Sequence, residues 1–203
     1  MKVKLTKGEL KKQRDALKQY ARYLPTLQLK KQQLQIEIIR QNSRLAEKAA
    51  ALELKHRSIE PWAGILADQG VKVDSLVKLA RVNSDTRNIA GVDVPVFGSA
   101  DFEAFDYDLF LAPLWVDSAV EACKALVSLQ QELAVVQSGV RILKQELRVT
   151  TQRVNLFEKV KIPEAEVAIR LIKIYIGDQM ANAVGRSKIA KRKIEEAELA
   201  GAY

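Results

Sequence analysis

The sequence predicts a mainly α protein: a long antiparallel two-helix coiled coil (a helical hairpin) with a small central region containing a β-hairpin. Three observations point there. The 203 residues include only 9 Gly and 5 Pro, fewer breakers than an all-β chain of this length needs. The second half carries a sustained heptad of apolar residues, and only the middle of the chain switches to an alternation of period two. The organisation that follows is residues 1–60 as one helix, 61–112 as the central region and 113–203 as the returning helix.

The first helix is expected from about Thr6 to Ile59. Leu10, Leu17, Leu24, Ile38, Leu45 and Leu52 share one heptad phase, with Lys31 the exception, and Tyr20, Leu27 and Leu34 lie three places further on. Thr6 with Glu9 has the spacing of a capping box, in which hydroxyl and carboxylate each satisfy a free amide of the first turn. Pro25 removes one backbone donor; because the phase resumes beyond it, it should bend the helix without ending it. At 1.5 Å per residue such a helix is about 80 Å long.

Pro61, Gly64 and Gly70 should break this helix, and Val73 to Val82 fits a short further element. Ile89 to Phe97 alternates, Gly98-Ser99 reads as a turn, and Phe102 to Phe110 as a second, aromatic-rich run. Together they predict a β-hairpin or meander with Pro95 on an edge. Two strands alone are marginal in water, so the apolar face should rest on the helices or on a partner.

The returning helix carries the clearest signal. Leu126, Leu133, Val140, Leu147 and Val154 fall seven apart, and Leu129, Val136, Leu143, Thr150 and Phe157 form a second series offset by three. These alternating steps of three and four define a coiled-coil seam, with Thr150 its one polar member. Continuous to Glu196, the helix would reach about 120 Å. Antiparallel pairing would set Leu17 near Val154–Phe157 and leave residues beyond about 167 overhanging the first helix. That overhang holds Ile169, Leu171, Ile172, Ile174 and Ile176 on more than one face, as expected of a helix end enclosed by a partner.

Charge is unevenly placed. Residues 1–48 hold 13 Lys/Arg against 4 Asp/Glu, whereas residues 58–112 hold 4 against 9. A further basic cluster comprises Arg186, Lys188, Lys191, Arg192 and Lys193. One reading of this basic pole is a coiled-coil scaffold binding nucleic acid or an anionic membrane. Against nucleic acid, only Tyr20 and Tyr23 offer stacking surfaces in the first forty residues.

Enzyme chemistry is not predicted. One Cys123 and one His56 make neither a disulfide nor a metal cage, and both read as ordinary helix residues. The run Asp101, Glu103, Asp106, Asp108 lacks the spacing and glycine of a calcium loop. No phosphate-binding loop, dinucleotide fingerprint or nucleophile elbow occurs, so neither catalytic residues nor cofactors are expected. Met1-Lys2-Val3-Lys4 is not a signal peptide, and Val167 to Ile176 is broken by Arg170 and Lys173, so a soluble intracellular chain is expected.

Several ordered segments carry a resemblance. They are Arg22 to Lys31, Asn88 to Phe97, Phe105 to Phe110, and Pro113 to Asp117. The most diagnostic is Arg153-Val154-Asn155-Leu156-Phe157-Glu158-Lys159-Val160-Lys161-Ile162-Pro163. Arg-Val-Asn, a Glu three places after the Asn, then Ile-Pro, resembles the D subunit of V/A-type rotary ATPases and ATP synthases, bacterial branch, over nearly the whole chain. Pro25 departs from the more distant relatives.

The resemblance implies a non-catalytic central-stalk rotor. Its termini would enter a head of alternating catalytic A and B subunits, bearing on it through Ile169, Ile172, Ile174, Ile176 and Arg186. The small F subunit of the stalk would clasp the lower coiled coil, and a socket subunit at the membrane ring would hold the central region. It further implies a cytoplasmic chain, peripheral to the membrane through the complex alone, with no nucleic-acid partner.

Overall fold

A computed structural model describes residues 4–67, 77–103 and 113–200, with the side chains of 66, 67, 199 and 200 left aside. Helix α1 is Lys7–Ile59, followed by a 3-10 segment, Glu60–Ala67. Strands β1 (Leu79–Ile89) and β2 (Val92–Phe102) pair antiparallel. Helix α2 is Trp115–Leu156, a π-turn occupies Phe157–Lys161, and helix α3 is Ile162–Ala200. The fold is thus a helical hairpin with one small two-stranded sheet. Its contacts divide into two compact units: Lys30–Thr150, and Met1–Leu29 with Thr151–Tyr203.

Helix α1 begins as its sequence implies. Thr6 Oγ1 accepts the Glu9 N–H at 3.2 Å, and Leu10 N–H donates to the Thr6 carbonyl at 3.0 Å. The capping box closes on one side only, however. Glu9 Oε1 accepts from Gln13 Nε2 at 2.8 Å, while Thr6 N–H turns to the Lys4 carbonyl at 3.0 Å. Pro25 lies inside the helix without ending it. The carbonyl it leaves without a helical donor, that of Ala21, is on an exposed residue, where water can replace the lost bond.

Within the Lys30–Thr150 unit, ion pairs show how the helices run. Lys30 Nζ meets Glu146 Oε1 at 2.8 Å, and Lys48 Nζ meets Glu132 Oε1 at 2.8 Å, so numbers rise on α1 as they fall on α2. Both pairs are partly exposed and each adds at most about 1 kcal/mol. Stability comes from the seam, where Leu34 and Leu143 are fully buried and Ile38 is 8% exposed. Val94 of β2 completes this cluster at 3% exposure, with Ile89, Ala90, Val92 and Leu147 packed around it. The β-hairpin's apolar face therefore rests on its own helices. Gly139 makes the close approach possible, since a Cβ there would stand 2.8 Å from Val94 Cγ1.

The β-hairpin differs from the sequence expectation in its placing. Its turn is Ala90-Gly91, with φ of 52° and 76°, the two positive values that match the twist of a tight hairpin. Asn88 supports it, its Oδ1 accepting the Gly91 N–H at 3.1 Å and its Nδ2 donating to Asp93 Oδ1 at 2.7 Å. Gly98-Ser99 is not a turn. Asn83 pairs with Ser99 and Ser84 with Phe97, so Gly98 is the extra residue of a bulge within β2. The first strand is Leu79–Ile89, in place of the short element expected up to Val82. Gly70, residues 73–76 and the aromatic run beyond Glu103, with Asp106 and Asp108, lie outside the described residues.

In the other unit, the Tyr20 and Phe157 rings stack with centroids 5.4 Å apart. Tyr20 therefore faces Phe157, which puts Leu17 about one turn beyond the Val154–Phe157 position expected for it. The expectation of one uninterrupted returning α-helix is also corrected. Pro163 cannot donate to the Lys159 carbonyl and its ring would press on it; the π-turn relieves this, with Ile162 N–H donating to the Phe157 carbonyl.

Candidate functional site

Among the described residues, helix α3 holds the longest run of exposed side chains. Its inner face is Ala165, Ala168, Ile169 and Ile172, at 4%, 4%, 9% and 0% exposure. These recur at steps of three and four, so one stripe turns inward. Within this unit the other described segment is the beginning of α1, whose Leu10, Ala16, Leu17, Tyr20, Leu24 and Leu27 are half-buried. The alanines let two helices approach closely.

This corrects the reading of the overhang. Ile169 and Ile172 are interior residues and Ile176 is half-buried, so the helix is covered about ten residues further than expected. The later register set by Tyr20 and Phe157 accounts for about half of that extension. From Gly177 to Glu198 every residue is exposed. Of the five residues assigned to a partner surface, Ile174 and Arg186 lie on the surface.

The outer face of α3 is apolar nonetheless. Val167, Leu171 and Ile174 are more than half exposed, and Met180, Val184, Ile189 and Ile194 continue apolar surface into the uncovered end. Beside them stand Arg186, Lys188, Lys191, Arg192 and Lys193, all exposed. Lys191 pairs with Glu195 at 3.7 Å and Arg192 with Glu196 at 3.3 Å, which offsets part of the local charge. Arg186, Lys188 and Lys193 make no ion pair with a described residue. Such a surface can hold a protein through apolar contact and guide it by charge.

The segment from Arg153 to Pro163 is built on the same unit. Val154 is buried at 4% exposure and Ile162 is half-buried, while Arg153, Asn155, Glu158 and Pro163 face outward. Among the described residues, Arg153, Asn155 and Glu158 have no side-chain hydrogen bond or ion pair. The fold does not account for those three polar side chains. The ten heptad positions of the seam, Leu126, Leu129, Leu133, Val136, Val140, Leu143, Leu147, Thr150, Val154 and Phe157, are all buried or half-buried.

Comparison with known proteins decides the family. The family model for the D subunit of ATP synthase matches residues 9–192. This chain belongs to the ATP synthase D subunit family. Among its relatives is the V-type ATP synthase D subunit of Borreliella burgdorferi, 43% identical over 194 residues, which are 95% of each chain. The V-type ATP synthase D subunits of Chlamydia abortus and Chlamydia caviae are 36% and 34% identical, each over 96% of this chain and 94% of the relative.

Other chemistry is sparse. No group of three or more His, Cys, Asp or Glu placed to hold a metal occurs among the described residues. His56 is exposed on α1 and Cys123 half-buried on α2. Asp101 accepts from Asn83 Nδ2 at 2.7 Å. An open cleft of about 330 Å³ beside the β-hairpin is lined by Arg44, Lys48, Arg87, Phe97 and Glu132, and its lysine is already paired with its glutamate. No described helix is long and apolar enough to cross a membrane. Among the described residues, the end of α3 is the longest stretch in which every side chain is exposed.

Proposed function

We propose that this D subunit is the non-catalytic central-stalk shaft of a V-type rotary ATP synthase, coupling ATP synthesis or hydrolysis in a catalytic head to ion translocation across the membrane. The observation that carries this reading is the family match over residues 9–192, joined to a helix whose last described residues are bare. The bare end enters a head of alternating A and B subunits, with Ile174 and Arg186 on the contact surface. The small F subunit of the stalk holds the coiled coil, with Arg153, Asn155 and Glu158 available to it. The region 61–112 meets a socket subunit at the membrane ring, and the chain touches the membrane only through the complex.

The mechanism needs no chemistry from this chain. A shaft that presents a different face to each of three nucleotide sites makes different contacts with each. Only such differential interaction can shift the sites towards different conformations. Rotation then passes each site through the sequence in turn. A paired-helix seam transmits that rotation because slipping it would expose Leu34, Leu143 and their neighbours.

The reading is tested by recovering the tagged chain from native membranes. It predicts that the A and B subunits and ATPase activity accompany it at stable stoichiometry and survive moderate salt. A chain recovered without any catalytic head, or released with nucleic acid in steep dependence on salt, contradicts it.

A further inference from the structure

Along α2, buried and half-buried positions keep a seven-residue rhythm through Val140, Leu143, Leu147, Thr150, Val154 and Phe157. Continued, that rhythm would turn Lys161, Glu164, Ala168 and Leu171 inward. Of these, only Ala168 is buried. Ala165, Ile169 and Ile172 are buried one place later than the rhythm requires, Leu171 is 52% exposed, and the inward stripe is centred on the later set. One residue has therefore been added to the helix between Phe157 and Ala165.

The π-turn is where that residue is held. Ile162 N–H donates to the carbonyl five places back, at Phe157, and a turn closed in this way contains one more residue than an α-turn. Two features of the sequence require it. Pro163 excludes the regular bond to the Lys159 carbonyl, and without the added residue Glu164 and Leu171 would take the inward places of Ala165 and Ile172. A charged Glu164 on that face would carry a desolvation cost that Ala165 avoids. The stacked Tyr20 ring, 5.4 Å away, holds Phe157 at the first position of the turn.

We infer that Phe157–Lys161 is a phase-resetting joint: one added residue, accommodated at Pro163, returns Ile169 and Ile172 to the buried face of the helix pair. The joint is also where the helical ladder opens most readily, since its hydrogen bonds are longer-looped and one donor is absent. The role holds whatever partner the chain docks onto.

The test uses the full chain and removes the two features separately and together. Val160 is suited to deletion, being 40% exposed and on the outer side. Deleting Val160 alone either buries the wrong residues or places Pro163 in a regular helix, and should lower Tm by about 5–10 °C. Combining that deletion with Pro163→Ala should give an uninterrupted α-helix with Ile169 and Ile172 still buried. Its Tm should lie within about 2 °C of the parent. Amide exchange across the former joint should slow to the level of α2. Pro163→Ala alone should keep the π-turn in a crystal structure, because the added residue is still there. The inference is overturned if deleting Val160 alone leaves Tm unchanged, if the double variant is as unstable as the single deletion, or if Pro163→Ala alone yields a regular helix of parental stability.

Discussion

The two units contain the same kind of helix pair and bury it differently. In Lys30–Thr150 the seam has a lid: Val94 of the β-hairpin closes over Leu34, Ile38 and Leu143, and Gly139 admits it. In the unit with α3 no described strand covers the helices. One stripe of α3 is buried, and Val167, Leu171 and Ile174 stand on its far side more than half exposed. A helix covered by one neighbour hides only one stripe, so apolar residues beyond that stripe need a different explanation. The lidded unit also leaves Ile36, Ile39 and Leu54 exposed on α1, so exposed apolar residues alone do not set the two apart. What sets the other unit apart is that α3 runs on into an end where every described residue is exposed, and that end is what a partner would cover.

The sharpest way to break the comparison is in the lidded seam. Leu143→Lys places an unpaired charge where a Leu is fully buried and should cost about 3–5 kcal/mol by chemical denaturation. Gln145→Lys, on the exposed side, should stay within about 0.5 kcal/mol of the parent. Equal losses would mean that Leu143 does not face a sealed interior. The next effect separates the two faces of α3. Ile172→Ala should cost about 2–4 kcal/mol, whereas Ile174→Ala should cost less than about 0.5 kcal/mol in the isolated chain. Similar values would erase the distinction between covered and exposed residues.

The smallest effect sharpens the lid itself. Gly139→Ala gains helix propensity, yet its Cβ would meet Val94 Cγ1 at 2.8 Å, and a β-branched side chain yields little. A net loss of about 1–2 kcal/mol is expected. With Val94→Ala in the background the same change should become neutral or stabilising, a coupling readable in a double-mutant cycle. Additive effects would mean that the β-hairpin does not lean on α2 at Gly139.

How much of this could be read in the residues depended on whether the chain itself supplied the partner. The heptads were legible because Leu34, Leu143 and Val154 are covered by the neighbouring helix and strand of their own unit, and a seven-residue rhythm is what such covering leaves in a sequence. The hairpin turn was misplaced for a local reason. Gly98-Ser99 has turn chemistry but serves a bulge, while Ala90 adopts a positive φ in a residue type that gives no warning of it. The π-turn was hidden because a one-residue slip looks like the end of a heptad; Pro163, three places after Val160, was the available sign. Counting apolar residues also could not separate Ile169 and Ile172 from Ile174, since the division depends on register beyond the slip. The outward Arg153, Asn155 and Glu158 became distinctive only once Val154, Phe157 and Ile162 were seen to be the members of their segment that the fold covers.

The central claim is that the uncovered end of α3 bears on the catalytic head, and it can be tested by shortening the chain after Ile176. That position keeps every buried residue of α3, whereas a cut at Pro163 would also strip Ile169 and Ile172 from α1 and confuse misfolding with lost contact. In the assembled complex, ATP hydrolysis and ion transport are measured separately on the same preparation. The account predicts a folded subunit, retained on the stalk, with hydrolysis that continues while ion transport falls at least about tenfold, the equivalent of about 1.4 kcal/mol of lost coupling. Full transport per ATP hydrolysed in that truncated complex would contradict it.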